Sequence, residues 1–169
     1  KNPRKVDIAK VDIQTDQLTY EESYVQAPFI AGIEHLTFGM QDVSIHGDNV
    51  KVNYFDTNIS DVSLTHTASA REWLNFKTFT LEGQLKKSER LNLDIGQISL
   101  DKLSVYALMD KEGTINFSQL TPKNEAKKEP TQEVEPLALE WKVKGFNLSD
   151  SSVEFQDRFN AINGLIQLD

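Results

Sequence analysis

The stretch that most constrains this chain runs from Leu91 to Leu120, LNLDIGQISLDKLSVYALMDKEGTINFSQL, where apolar and polar residues alternate and the alternation changes phase without stopping. Leu91, Leu93 and Ile95 share one parity, Ile98 and Leu100 take the other after Gly96, and Leu103, Val105, Ala107 and Met109 switch back after Asp101 and Lys102. Successive side chains of a strand point to opposite faces of its sheet, so an uncompensated one-residue slip would turn a whole apolar series toward solvent. A chain that slips and keeps its apolar series must bulge at the slip or begin a new strand there. Asp110, Lys111, Glu112 and Gly113 then predict a turn, with Gly113 suited to positive φ, and Ile115 and Phe117 a short returning strand.

The same pattern extends in both directions. Val6, Ile8, Val11 and Ile13 alternate with a parity switch near Ala9 and Lys10 that suggests a bulge or bent strand. Asp16 to Tyr24 fits a helical turn or a strand, and its recurring threonine and tyrosine favour the strand. Leu36, Phe38 and Met40 lead through a one-residue shift to Val43 and Ile45. The turn-forming His46 to Asn49 and the run Val50, Val52, Tyr54 complete a β-hairpin. Asp56 to Asn58 reads as another turn before Ile59, Val62 and Leu64. Ala68 to Phe76 is the best short-helix candidate, with Ser69 as its cap, although Leu74 and Phe76 also fit entry to a strand. Phe79 and Leu81 precede Gly83, and Lys86 to Arg90 is a charged turn. Trp141, Val143, Phe146, Leu148, Val153 and Phe155 give two strands around a turn at Ser149 to Ser152. The segments from Asp42 and from Gly145 echo each other loosely, as stacked hairpins would.

These runs predict a mainly β protein, an antiparallel and strongly twisted sheet curled into a groove, or a β-sandwich-like arrangement, with few or no long helices. Residues 1–120 form the antiparallel region and 137–169 a further β-hairpin continuing the same sheet. The segment 121–136, with three prolines, seven charges and no aromatic residue, is a polar loop or linker between them. Strand-like sequence reaches both ends of the chain, as expected of a piece of a longer protein.

Composition narrows the chemistry. A chain of 169 residues can bury a core, yet only 38% of it is hydrophobic, which suits a thin or heavily solvated structure. The formal net charge of -8, with scattered basic residues, argues against nucleic acid, because phosphate binding needs clustered Lys and Arg. There is no cysteine, hence no disulfide, thiolate metal site or cysteine nucleophile. No apolar run approaches the roughly 20 residues that span a bilayer, and no signal peptide opens the sequence. His35, His46 and His66 lack carboxylates at a ligand-like spacing, so no metal is expected. Paired acids such as Glu21 and Glu22 show no environment that would separate their pKa values, and neither a phosphate-cradling glycine loop nor a GxSxG elbow occurs. The reading is of a non-enzyme without a cofactor. Three N-x-S triplets, at Asn58, Asn116 and Asn147, would matter only in a eukaryotic secretory protein.

The segment Ile98 to Leu120, ISLDKLSVYALMDKEGTINFSQL, resembles a pattern of bacterial AsmA-like envelope proteins: an apolar strand, a D-x-x-G turn, then x-I-N-F-x-x-L. Asp110, Gly113, Asn116 and Leu120 carry it. After the polar insert, WKVKGFNLSDSSVEFQDRFN is similar to the family's next strand pair, with its V-x-F-x-D ending at Val153, Phe155 and Asp157. The resemblance covers Ile98 to Asn160; the first 97 residues match only in general character. It implies a segment of an elongated β-groove protein of the periplasm, anchored to the inner membrane by a segment this chain does not contain, and linked to lipid movement toward the outer membrane. Its ligand would be a phospholipid or other acyl chain, with envelope proteins as possible partners. The groove candidates are Leu103, Val105, Ala107, Ile115, Phe117, Trp141, Val143, Phe146, Val153 and Phe155. Ordinary packing between two sheets would produce the same alternation, so a closed β-sandwich that engages an envelope protein or glycan is the alternative.

Overall fold

A computed structural model describes residues 4–121 and 138–169; apart from Thr121, the polar linker expected at 121–136 lies outside them. Among the described residues, nine strands form one mixed, mostly antiparallel sheet that is not closed into a barrel. Four long strands come first: β1 (Lys5–Glu22), β2 (Phe29–His46), β3 (Asn49–His66) and β4 (Arg71–Lys87). They pair in sequence as antiparallel neighbours. The expected hairpin at His46 to Asn49 is present, with Gly47 at φ 63°. The charged turn expected at Lys86 to Arg90 is shorter: Lys86 and Lys87 end β4, and the bend spans Ser88 to Arg90.

Beyond β4 the sheet continues as two strands, each divided by a kink. β5 (Leu91–Asp101) and β6 (Ser104–Met109) both lie antiparallel to β4. β7 (Leu139–Ser149) and β8 (Ser151–Asp157) run parallel to β5 and β6 respectively, and β9 (Ile162–Leu168) closes a hairpin with β8. Parallel neighbours need a crossover of a dozen or more residues. The connection 110–138 meets that requirement.

Positive φ at non-glycine residues marks two creases across the sheet. Along the first, the ladder skips Gln17 opposite Glu34, Glu34 opposite Asp61, and Asp61 opposite Lys77, and then meets Lys102 and Asp150 at the β5/β6 and β7/β8 junctions. Gln17, Asp61, Lys102 and Asp150 have φ of 55°, 52°, 53° and 46°. Along the second, Ala9 and Asn53 flank Asp42 (φ 50°), and the register shifts between Val52 and Phe55 and between Glu82 and Gly83. The phase slips read near Ala9, before Val43, at Gly96 and at Lys102 all fall on these lines. A left-handed residue takes up one position without reversing the face, so residues three apart across it stay on the same side. Met40 and Val43 pack in one cluster for this reason.

Five expectations are corrected. Asp56 to Asn58 is not a turn: these residues pair with Gly39, Phe38 and Thr37 in the middle of β3, where Gly39 leaves room for the Asp56 carboxylate. Ala68 to Phe76 is not a helix: Leu74, Asn75 and Phe76 are laddered to β3, and Ser69 Oγ meets His66 Nδ1 at 2.8 Å instead of capping a helix. Ser149 to Ser152 is a kink, and the hairpin of the last segment turns between Asp157 and Ile162. Ser149 Oγ donates to Asp101 (3.0 Å), and Ser151 Oγ accepts from Leu103 N (3.2 Å), stitching the two kinked strands side by side. The Asp42 and Gly145 segments are accordingly unlike in structure, one a hairpin and the other a kinked strand. Ile115 makes a single bridge to Met109, and Phe117 lies in a 3₁₀ turn (Asn116–Leu120), so there is no returning strand.

Candidate functional site

Pairing places nearly every strand apolar residue on one face. One row runs Ile8, Val43, Val52, Leu85, Leu93, Trp141; the next runs Val11, Met40, Phe55, Gly83, Ile95, Val143. A third runs Ile13, Phe38, Thr57, Leu81, Ile98, Phe146. Past the first crease the face continues with Leu64, Leu74, Val105 and Val153. Among the described residues no second sheet covers it, and no side chain is fully buried.

The centre of this face is the best-packed part. Val43, Val52 and Phe55 are buried, ringed by Phe38, Met40, Leu81, Leu85 and Leu93. Beside them lies a hollow of about 240 Å³ whose lining, Phe38, Met40, Val52, Phe55, Leu81, Leu85, Leu93 and Ile95, is entirely apolar. Gly83 lies between Phe55 and Ile95 in the second row: a Cβ there would lie 2.9 Å from Phe55 Cζ and 2.6 Å from the Asp94 carbonyl oxygen. The missing side chain lets the Phe55 ring lie against the sheet. With no titratable group in the lining, the hollow offers area burial, about 0.8 kcal/mol per methylene removed from water.

Eight of the ten groove candidates share this face. Leu103, Val105 and Ala107 stand opposite Ser151, Val153 and Phe155 across the β6–β8 pair, with Val153 and Phe155 themselves candidates. Trp141, Val143 and Phe146 pair with Leu93, Ile95 and Ile98. Trp141 and Phe146 are 68% and 64% exposed because β7 has no outer neighbour among the described residues. Ile115, bridged to Met109 beside the end of β6, stands outside the named strands, and Phe117 is the one that leaves the face. Phe117 packs edge-on against Trp73 (6.0 Å) in a second cluster with Ala27, Tyr106, Leu108 and Leu120. Tyr106 and Leu108 alternate with Val105 and Ala107, which places that cluster on the opposite face. The residues missed were those of the hollow, on β2, β3, β4 and β5. Their alternation was legible, but no family motif drew attention to them.

The D-x-x-G…N-x-x-x-L motif has a structural role. Asp110 Oδ1 accepts from Glu112 N and Thr114 N (3.0 and 2.8 Å), and Gly113 takes φ 82°. Asn116, 3% exposed, donates to the Tyr106 carbonyl (2.9 Å) and accepts from Leu108 N (3.0 Å). Its side chain thus satisfies β6 backbone groups that a neighbouring strand would otherwise use. Leu120 then anchors the 3₁₀ turn in the second cluster.

A hollow of about 380 Å³ on that side is lined by His66, Arg71, Trp73, Tyr106, Asn116 and Arg158, among others. Its polar groups are engaged with one another: Arg71 holds Glu154 at 3.0 Å and lies 3.5 Å over the Tyr106 ring, while His66 stacks on Trp73 at 4.8 Å. Elsewhere, His35 Nδ1 meets Asp16 at 2.6 Å, and this contact raises the imidazole pKa above its ordinary value. The Asn160 side chain, helped by the Asn160 and Phe159 amides, holds the Asp157 carboxyl below its usual range and fixes the β8–β9 turn. Among the described residues no cluster of three or more acids and histidines forms a metal site, and no helix is long and apolar enough to cross a membrane. No protein-family model matches the chain, and neither the curated proteins nor the solved structures contain a match.

Proposed function

We propose that this chain is a non-catalytic part of a bacterial cell-envelope protein of AsmA-like type, holding or conducting phospholipid acyl chains along its apolar sheet face between the inner and outer membranes. The observation that carries the reading is the uncovered apolar face, continuous across both creases, with a wholly apolar hollow at its centre. Exposed apolar area of this extent marks a binding surface. Affinity is spread along the rows, so a chain can bind at many points and slide. The periplasmic setting, the inner-membrane anchor and any envelope partners rest on the resemblance of Ile98 to Asn160. The alternative, a closed β-sandwich engaging an envelope protein or glycan, lacks a second sheet among the described residues.

Native mass spectrometry of protein purified without detergent tests the proposal. The expected spectrum carries phospholipid adducts that fall sharply in Leu81→Asp and Phe38→Asp, which place a charge in the hollow. Bare protein that keeps its full thermal stability after delipidation overturns it.

A further inference from the structure

We propose that β1 is the association edge for a second copy of this chain, the two β1 strands pairing antiparallel about a two-fold axis at Ile13. Among the described residues β1 pairs with β2 on one side only, so its 18 residues present an open row of backbone donors and acceptors there. Sheet edges are commonly blocked by proline or an unmatched bulge; β1 contains no proline, and both of its irregular positions recur in its neighbour.

Those positions select the register. Within the sheet, a left-handed residue on one strand stands opposite an ordinary one on the next: Gln17 opposite Glu34, and Asp42 opposite Ala9. Pairing Ile13 with Ile13 of the second copy puts Gln17 opposite Ala9 of that copy, and the reverse. Both creases then run unbroken from one copy into the other under the rule β1 and β2 already obey.

The side chains agree independently. On the polar face this register sets Lys5 opposite Glu21 and Lys10 opposite Asp16, each contact made twice by symmetry. Lys5 and Lys10 now form only exposed ion pairs with Asp7 and Asp12, which are readily redistributed. On the apolar face it sets Val6 against Tyr20, Ile8 against Leu18, and Ile13 against itself. These five side chains are 37% to 56% exposed in the single chain because nothing flanks them. The far edge offers no comparable line, being divided between β7 and β9, of 11 and 7 residues.

Because the chain has no cysteine, single engineered cysteines report the register directly. Opposed residues of an antiparallel pair have Cα atoms about 4.5–5.5 Å apart, within disulfide range. Ile13→Cys should therefore cross-link to a dimer on mild oxidation. Ile8→Cys, whose copies would lie about 33 Å apart along the strand, should not. In sedimentation over a concentration series, Lys10→Glu should weaken dimerisation about tenfold by opposing like charges twice, and Lys10→Glu combined with Asp16→Lys should restore it. Circular dichroism confirms that each variant is folded. A monomer at every concentration, equal cross-linking at positions 8 and 13, cross-linking at Leu165→Cys instead, or failure of the double swap to rescue overturns the proposal. None of these readouts depends on lipid.

Discussion

Replacing Gly83 with alanine tests both the register of the sheet and the shape of its apolar hollow. The new methyl carbon would lie 2.6 Å from the Asp94 carbonyl oxygen and 2.9 and 3.1 Å from Phe55 Cζ and Cε1. Non-bonded carbons prefer about 3.5–4.0 Å, so a strand backbone and a buried ring must each retreat by roughly half an ångström or more. Overpacking of this kind costs about 1–3 kcal/mol. The smaller conformational freedom of alanine in the unfolded chain returns about 0.4–1 kcal/mol. The net expectation is a loss of about 1–2 kcal/mol. Gly145→Ala is the control, because its methyl meets the movable end of the Gln97 side chain, which can swing aside; it should change stability by less than about 0.5 kcal/mol. Urea unfolding followed by far-ultraviolet circular dichroism measures both, with unchanged m expected. Since the displaced Phe55 ring lines the hollow, Gly83→Ala should also lower acyl-chain adducts in native mass spectra. The reasoning is refuted if Gly83→Ala is as stable as the parent protein, or if the two variants cost the same.

Asn116→Ala should destabilise by about 2–3 kcal/mol, since it strips partners from the Tyr106 carbonyl and the Leu108 amide. Trp73 fluorescence should report the loosened 3₁₀ turn, and an unchanged unfolding midpoint would contradict the assigned role. Lys102→Gly relieves left-handed strain of about 1–2 kcal/mol and loses part of it again to unfolded-state entropy, so a gain of up to about 1 kcal/mol is expected. Lys102→Val should lose about 1–3 kcal/mol, and thermal denaturation ranks the two. Because the Asp16 contact raises the His35 pKa above 6.5, its stabilising contribution is complete below pH 6.5 and disappears as pH rises through the raised value. Proton NMR titration should show the raised midpoint, and Asp16→Asn should return it toward the ordinary value; a His35 midpoint at or below 6.5 in the parent protein sinks the assignment.

Local alternation and its slips were sufficient for the β character and the bends at Gly96 and Lys102, and turn-forming residue types for the hairpin at His46 to Asn49 and the turn at Asp110 to Gly113. They failed where turn-forming or helix-forming residues sit inside a strand. Asp56 to Asn58 and Arg71 to Phe76 are held extended by ladders to strands far away in sequence, and local propensity does not register such partners. The change of parity between Ile59 and Val62 marks the kink at Asp61.

The sequence by itself determined that the apolar residues of each strand would share a face, because a side-chain period of two and the compensated slips admit no other outcome. Only the tertiary structure decided how those faces join. Which strands are neighbours, that β7 and β8 run parallel to β5 and β6, and that kinks on separate strands line up as two creases are all set by long-range pairing. The fate of Phe117 was decided in the same way. Its parity matched the groove, but the Asn116 side chain occupies the β6 edge and sends Phe117 to the opposite face against Trp73. That the apolar face stays open follows from the whole chain, since every long strand is used to widen one sheet and none is left among the described residues to cover it.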